Sequence, residues 1–124
     1  MTDKILIADD EPNILISLEY LMKREGFEVL VARDGEEALA LLRSAHPRLV
    51  LLDVMMPKKT GFEVCQELRA DEATRDTLVL MLTAKGRDTD VDKGLGVGAD
   101  AYMTKPFATK DLVAKVAALL RPVP

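Results

Sequence analysis

At 124 residues the chain has room for one domain with a hydrophobic core and not for two. Its 48% hydrophobic and 31% charged residues are an ordinary globular balance, and a net charge of −4 excludes a basic field able to grip nucleic acid or an anionic membrane. A single cysteine, Cys65, excludes an internal disulfide, and the N-terminal Met1-Thr2-Asp3-Lys4 leads into too few apolar residues for a secretory or membrane segment, so a cytoplasmic location is expected.

In chain order, short apolar runs alternate with amphipathic stretches. Ile5-Leu6-Ile7-Ala8 is the first run. Glu11-Pro12 opens a helix in which Ile14, Leu18, Leu21 and Met22 share a face, and Gly26 ends it. Val29 to Ala32 is the second run. Asp34 with Glu37 reads as a capping-box variant, followed by Ala38, Leu39, Leu42 and Ala45. Leu49 to Leu52 is the third run. Thr60 with Glu63 reads as a standard capping box before Val64, Cys65 and Leu68. Leu78 to Leu82 is the fourth run.

Between Asp88 and Asp100 only Val91, Leu95 and Val97 are large and apolar, and Gly94, Gly96 and Gly98 interrupt them. An interior glycine costs a helix roughly 1 kcal/mol relative to alanine. This fourth helix is therefore expected to be the least stable and most mobile. Ala101-Tyr102-Met103 is a weaker fifth run. The last helix carries Leu112, Val113, Val116, Leu119 and Leu120 on one stripe, with Thr109 as its expected N-cap. None of the apolar runs alternates with polar residues, which suits strands buried on both faces of a parallel sheet. Five β-α units joined by right-handed crossovers make a doubly wound α/β domain over residues 1–120, with 121–124 a tail or the start of a linker.

Ligands of such sheets bind beyond the carboxyl ends of the strands. The first run ends in Asp9-Asp10, the third in Asp53, the fourth in Thr83 and the fifth in Thr104-Lys105-Pro106. If strands one and three are neighbours, as in the flavodoxin-like order, three carboxylates converge. Their repulsion should raise the pKa of at least one of them, and a hard divalent cation would relieve it. Lys105 can neutralise a further anion there and Thr83 can hydrogen-bond it. Singly, each residue has an ordinary structural use. Together on one sheet edge they make a phosphoryl-binding constellation with a carboxylate as acceptor.

The ordered motifs "ILIADDEP", "LVLLDVMMPKKTGFEV", "VLMLTAKG" and "DAYMTKPF" resemble those of receiver domains of bacterial two-component response regulators, from about Lys4 to Leu120. The resemblance implies a flavodoxin-like, five-stranded parallel sheet of order 2-1-3-4-5 with five helices. It implies that Asp53 accepts a phosphoryl group from a phosphohistidine on a histidine kinase or phosphotransfer protein. Asp10, Asp53 and the backbone carbonyl of Met55 would hold Mg²⁺ (or Mn²⁺) directly, and Asp9 through water. Thr83 would hydrogen-bond the phosphoryl group and Lys105 would pair with it. Tyr102 would change rotamer with Thr83, and the Lys105–Pro106 bond would be cis. Met55 and Lys85, two residues beyond Asp53 and Thr83, stand where the family tunes phosphoryl lifetime. Met55 is expected to hinder the attacking water. The output would be a remodelled surface of the last two helices and the strand between them. A downstream domain or protein would read that surface, with a phosphorylation-dependent homodimer as one form of readout.

Two other functions compete. An aspartyl phosphatase needs a second acid two residues after its nucleophile, where Met55 stands. A flavodoxin-like cofactor binder needs a hydroxyl- or glycine-rich loop where Asp9-Asp10-Glu11 stands. The rest is structural: His46 reads as a surface residue at a helix end, Lys58-Lys59 as a solvated loop, Cys65 as core packing, and Gly94-x-Gly96-x-Gly98 as helix breaking.

Overall fold

The computed structural model describes residues 3–84 and 98–121. Lys85, most of the expected fourth helix and Pro122–Pro124 lie outside the described residues. In chain order the elements are β1 (Lys4–Ala8), α1 (Pro12–Arg24), β2 (Glu28–Ala32), α2 (Gly35–Ala45) and β3 (Leu49–Asp53). They continue with α3 (Gly61–Ala70), β4 (Leu78–Ala84), β5 (Ala101–Lys105) and α4 (Thr109–Leu120). The strands form one parallel sheet of order β2-β1-β3-β4-β5.

The sheet divides the apolar residues between two layers. On one face Leu6, Val50 and Leu52 pack with Ala38, Leu42, Val64 and Leu68 of α2 and α3. On the other, Ile5, Ile7, Leu49 and Leu51 pack with Leu18, Met22, Leu112 and Val116 of α1 and α4. Successive residues of a strand point to opposite faces. A central strand with a layer on each side must therefore be apolar throughout, and every residue of β3 is buried. Fully burying one such side chain stabilises by about 1.5–3 kcal/mol.

The edge strands depart from that expectation. Val29, Leu30 and Val31 of β2 are only half-buried. In β5 exposure alternates: Ala101, Met103 and Lys105 are half-buried, and Tyr102 and Thr104 face out. An edge strand has one neighbour and thinner cover, so an apolar run does not guarantee burial there.

The helix starts show what capping signals do and do not establish. At α3 both capping-box bonds form: Glu63 N donates to Thr60 Oγ1 at 3.2 Å and Thr60 N donates to Glu63 Oε1 at 3.1 Å. At α2 only half of the box forms. Glu37 N donates to Asp34 Oδ1 at 2.8 Å, but the Glu37 carboxylate accepts from Arg33 N rather than Asp34 N. The bond from Glu37 N holds the Asp34 carboxyl below its ordinary pKa, assisted by Lys58. Thr109 is not the cap of α4. Ala108 is, without a side-chain bond, and Thr109 is the first helical residue. In α1 the buried positions are Leu15, Leu18 and Met22, with Ile14 and Leu21 half-buried, so the core stripe is rotated slightly from the expected one.

Candidate functional site

The strands run further than their apolar runs, and this builds the site. β3 includes Asp53, β4 carries Thr83, and β5 extends to Lys105. Asp53, Thr83 and Lys105 thus stand on strand ends rather than on loops. The register places Asp53 beside Leu82, and Thr83 beside Thr104. Asp9 follows the end of β1, anchored by its own N–H donating to Ala32 O at 3.1 Å.

Carboxylate oxygens of Asp9, Asp10 and Asp53 lie within 4.8 Å of one another. Asp9 and Asp53 are buried, and Asp10 is exposed. Lys105 reaches in from β5: its Nζ donates to Asp9 Oδ2 at 2.8 Å and to Asp53 Oδ1 at 3.1 Å. The other Asp9 oxygen accepts from Glu11 N at 3.0 Å. Both Asp9 oxygens are therefore engaged within the protein, whereas Asp10 is open to solvent.

The electrostatics match the crowding. Burial and then the charge of Asp9 push the Asp53 carboxyl up to about 6, against the opposing pull of Lys105. Burial alone would lower the pKa of Lys105, but its bonds to Asp9 and Asp53 outweigh this and hold it above its ordinary value. The ammonium stays charged, and the acids still outnumber it. Hard oxygen donors in negative excess suit a divalent cation of the Mg²⁺ class.

Thr83 is buried, and its Oγ1 lies 3.5 Å from Met103 O, a long and weak bond. Tyr102 is 41% exposed on the outer face of β5. Met55 points its side chain to solvent while Val54 and Met56 beside it are buried. The Lys105–Pro106 bond is cis. Each of these residues was named from the sequence, and of the site residues so named Lys85 alone lies outside the described residues. Among the remaining signals, His46 is the exposed C-cap of α2 and Cys65 is buried core. Lys58 and Lys59 pair with Asp34 and Glu67, at 3.7 and 2.8 Å.

Sequence reasoning missed Gly35 and Arg69. A Cβ on Gly35 would stand 2.5 Å from Lys59 Cβ, so α2 starts directly against the loop that follows Asp53. Its one legible signal was a glycine in the first turn of a helix. Arg69 on α3 donates to Gly98 O at 2.9 Å, Arg75 O at 2.7 Å, Thr77 O at 2.6 Å and Asp100 Oδ2 at 2.8 Å. Nothing in a helical arginine advertises such a role.

Comparison with known proteins agrees with this geometry. The family described as response regulator receiver domain matches residues 5–117. The alkaline phosphatase synthesis transcriptional regulatory protein PhoP of Bacillus subtilis is 47% identical over 121 residues, covering 98% of this chain and 50% of that protein. The chain spans about half the length of the curated relatives it matches. Among solved structures, a putative response regulator from Chloroflexus aurantiacus superposes with a TM-score of 0.93 at 33% identity, covering 97% of this chain and 98% of that one. The chemotaxis response regulator CheY4 of Vibrio cholerae gives 0.91 at 32% identity, covering 97% and 100%. No helix among the described residues is long and apolar enough to cross a membrane.

Proposed function

The chain belongs to the response regulator receiver family, a phosphorylation-dependent signalling switch, and we propose that Asp53 is its phosphoacceptor. The receiver spans residues 1–120, with 121–124 as a tail or the start of a linker. One observation carries the assignment: a buried Asp53 with a raised pKa, held by the ammonium of Lys105 at the edge of an acidic cluster.

The donor is a phosphohistidine on a histidine kinase or phosphotransfer protein, which the chain meets in the cytoplasm. An Asp53 carboxylate oxygen attacks phosphorus in line. The P–N bond breaks as the P–O bond forms, and the imidazole leaves with the electron pair and takes up a proton. At neutral pH a carboxyl near 6 is mostly ionised and so remains a nucleophile. Lys105 gives up its bond to Asp53 and pairs with a phosphoryl oxygen. Asp10, Asp53 and the Met55 carbonyl would hold Mg²⁺ or Mn²⁺ directly and Asp9 would do so through water, and the ion would supply positive charge for the phosphoryl group. Thr83 turns its hydroxyl onto the new anion, and Tyr102 moves inward behind it. The surface around β5 and α4 changes as a result. A phosphoryl group that binds the changed form better shifts an existing equilibrium towards it. An output domain or protein, or a second copy of the chain, reads that surface. Nucleic acid is not bound by this segment.

The test is intact mass after incubation with acetyl phosphate and Mg²⁺. One phosphoryl adduct is expected, absent in Asp53→Asn and absent with a chelator. An adduct that survives Asp53→Asn would overturn the assignment. So would the joint failure of acetyl phosphate and of the phosphoryl mimic beryllium fluoride to modify or bind the wild type.

A further inference from the structure

Between Asp53 and α3 the chain reverses direction, and two glycines hold the reversal. Gly61 N donates to Val54 O at 2.8 Å, closing the loop upon itself. A Cβ on Gly61 would collide with the Asp53 carbonyl oxygen and stand 3.0 Å from both the Asp53 carbonyl carbon and Val54 Cα. Those neighbours are backbone and cannot rotate away as a side-chain tip can. On the other flank, Gly35 N donates to Pro57 O at 3.3 Å. A Cβ there would stand 2.5 Å from the Lys59 carbonyl oxygen. The loop is thus pressed against Gly61 at its root and Gly35 at its tip.

Met55 lies between these two supports. Its neighbours Val54 and Met56 are buried while its own side chain is exposed, so this stretch is seated by the residues flanking Met55 and not by Met55 itself. We propose that Gly61, seconded by Gly35, is a positioning residue for the cation site. The absence of a Cβ at 61 lets the Asp53–Val54 backbone sit deep enough for the Asp53 carboxylate and the Met55 carbonyl to face the same point as Asp10. Mg²⁺ demands near-ideal octahedral geometry at short range, so a displacement of a few tenths of an ångström at the root of the loop weakens it. This rests on the receiver reading of the site above.

Mg²⁺ affinity is measured by calorimetric titration of the whole chain, well below the unfolding temperature, with circular dichroism as the check on folding. The variants are Gly61→Ala, Gly35→Ala and, at the opposite end of the sheet, Arg69→Ala. Loss of supporting interactions around a metal typically costs about 10–100-fold in affinity. Gly61→Ala is expected to raise the Mg²⁺ Kd by about tenfold. Gly35→Ala should give a smaller rise, and Arg69→Ala none despite its lower stability. A folded Gly61→Ala that binds Mg²⁺ as the wild type does would overturn the inference. If Gly61→Ala does not fold, Gly35→Ala decides: a raised Kd supports the two-glycine seat, and an unchanged one overturns it. Absence of Mg²⁺ binding by the wild type would instead overturn the receiver reading of the metal site, and the inference with it.

Discussion

At the amino ends of the strands, arginines are surrounded by acceptors. At the carboxyl ends, three carboxylates face one lysine. Arg48, just before β3, donates to Asp3 Oδ2 at 3.2 Å and to Leu120 O at 3.1 Å, tying the C-terminus of α4 to the sheet. Arg69 satisfies four acceptors, and Asp100 in turn accepts from Val79 N at 2.8 Å. Charge there is matched and hydrogen-bonded, the condition under which a partly buried ion contributes to stability. At the other end Asp53 is buried beside Asp9 and its pKa rises. The same fold therefore keeps one end settled and leaves the other in deficit. The deficit is a cost to the free protein, and under the proposed function a cation and a phosphoryl group would relieve it.

The largest expected effect breaks the settled end. Arg69→Ala takes the guanidinium from the Gly98, Arg75 and Thr77 carbonyls and leaves Asp100 with only the Val79 N–H among the described residues, and should destabilise by roughly 3 kcal/mol. Urea denaturation would measure it. A loss below about 1 kcal/mol would show the network to be no stronger than an ordinary surface ion pair.

At the unsettled end the sign reverses. In chelator-treated protein, Asp53→Asn should stabilise at pH 7 by on the order of 1–2 kcal/mol, after allowance for solvent screening. The folded state keeps the Asp53 proton to about 6, against 3.8 for an ordinary aspartate. Between those values the folded state binds more protons than the unfolded state, so stability falls as pH rises through that window. Above it the penalty is complete. Thermal unfolding of wild type and Asp53→Asn from pH 4 to 7 should therefore diverge as pH rises. Parallel curves would mean that Asp53 carries no deficit.

The smallest effect sharpens the contrast within the carboxyl edge itself. Thr60 stands near the site but serves only its helix, through the two capping-box bonds of α3. Thr60→Ala should cost about 1 kcal/mol at any pH from 5 to 8, because no titrating acid of the cluster is involved. A pH-dependent loss would place Thr60 in the electrostatics of the site.

The fold was legible where local pattern and tertiary demand coincide. The β3 run is apolar because a middle strand is covered twice, and the structure buries all of it. At β2 and β5 the same pattern misleads, since burial there depends on how many neighbours a strand has. Thr109 shows the limit of capping signals: a good cap residue one position late simply becomes the first turn. Asp34 and Glu37 show it again, with the helix capped but the returning carboxylate taken by Arg33.

By itself the sequence determined which groups stand at the strand ends, because an apolar run that stops at an acid, a threonine or a lysine is a local fact. It also determined the helix faces, which follow from the 3.6-residue period. Only the tertiary structure decided which groups meet. Lys105 and Asp9 are 96 positions apart and touch at 2.8 Å because β1, β3, β4 and β5 lie in that order and register. The seating of Gly61 on the Asp53 backbone and the four bonds of Arg69 arise in the same way. Close approach is a property of packed neighbours, and the identity of those neighbours is set by topology rather than by the residues beside them in the chain.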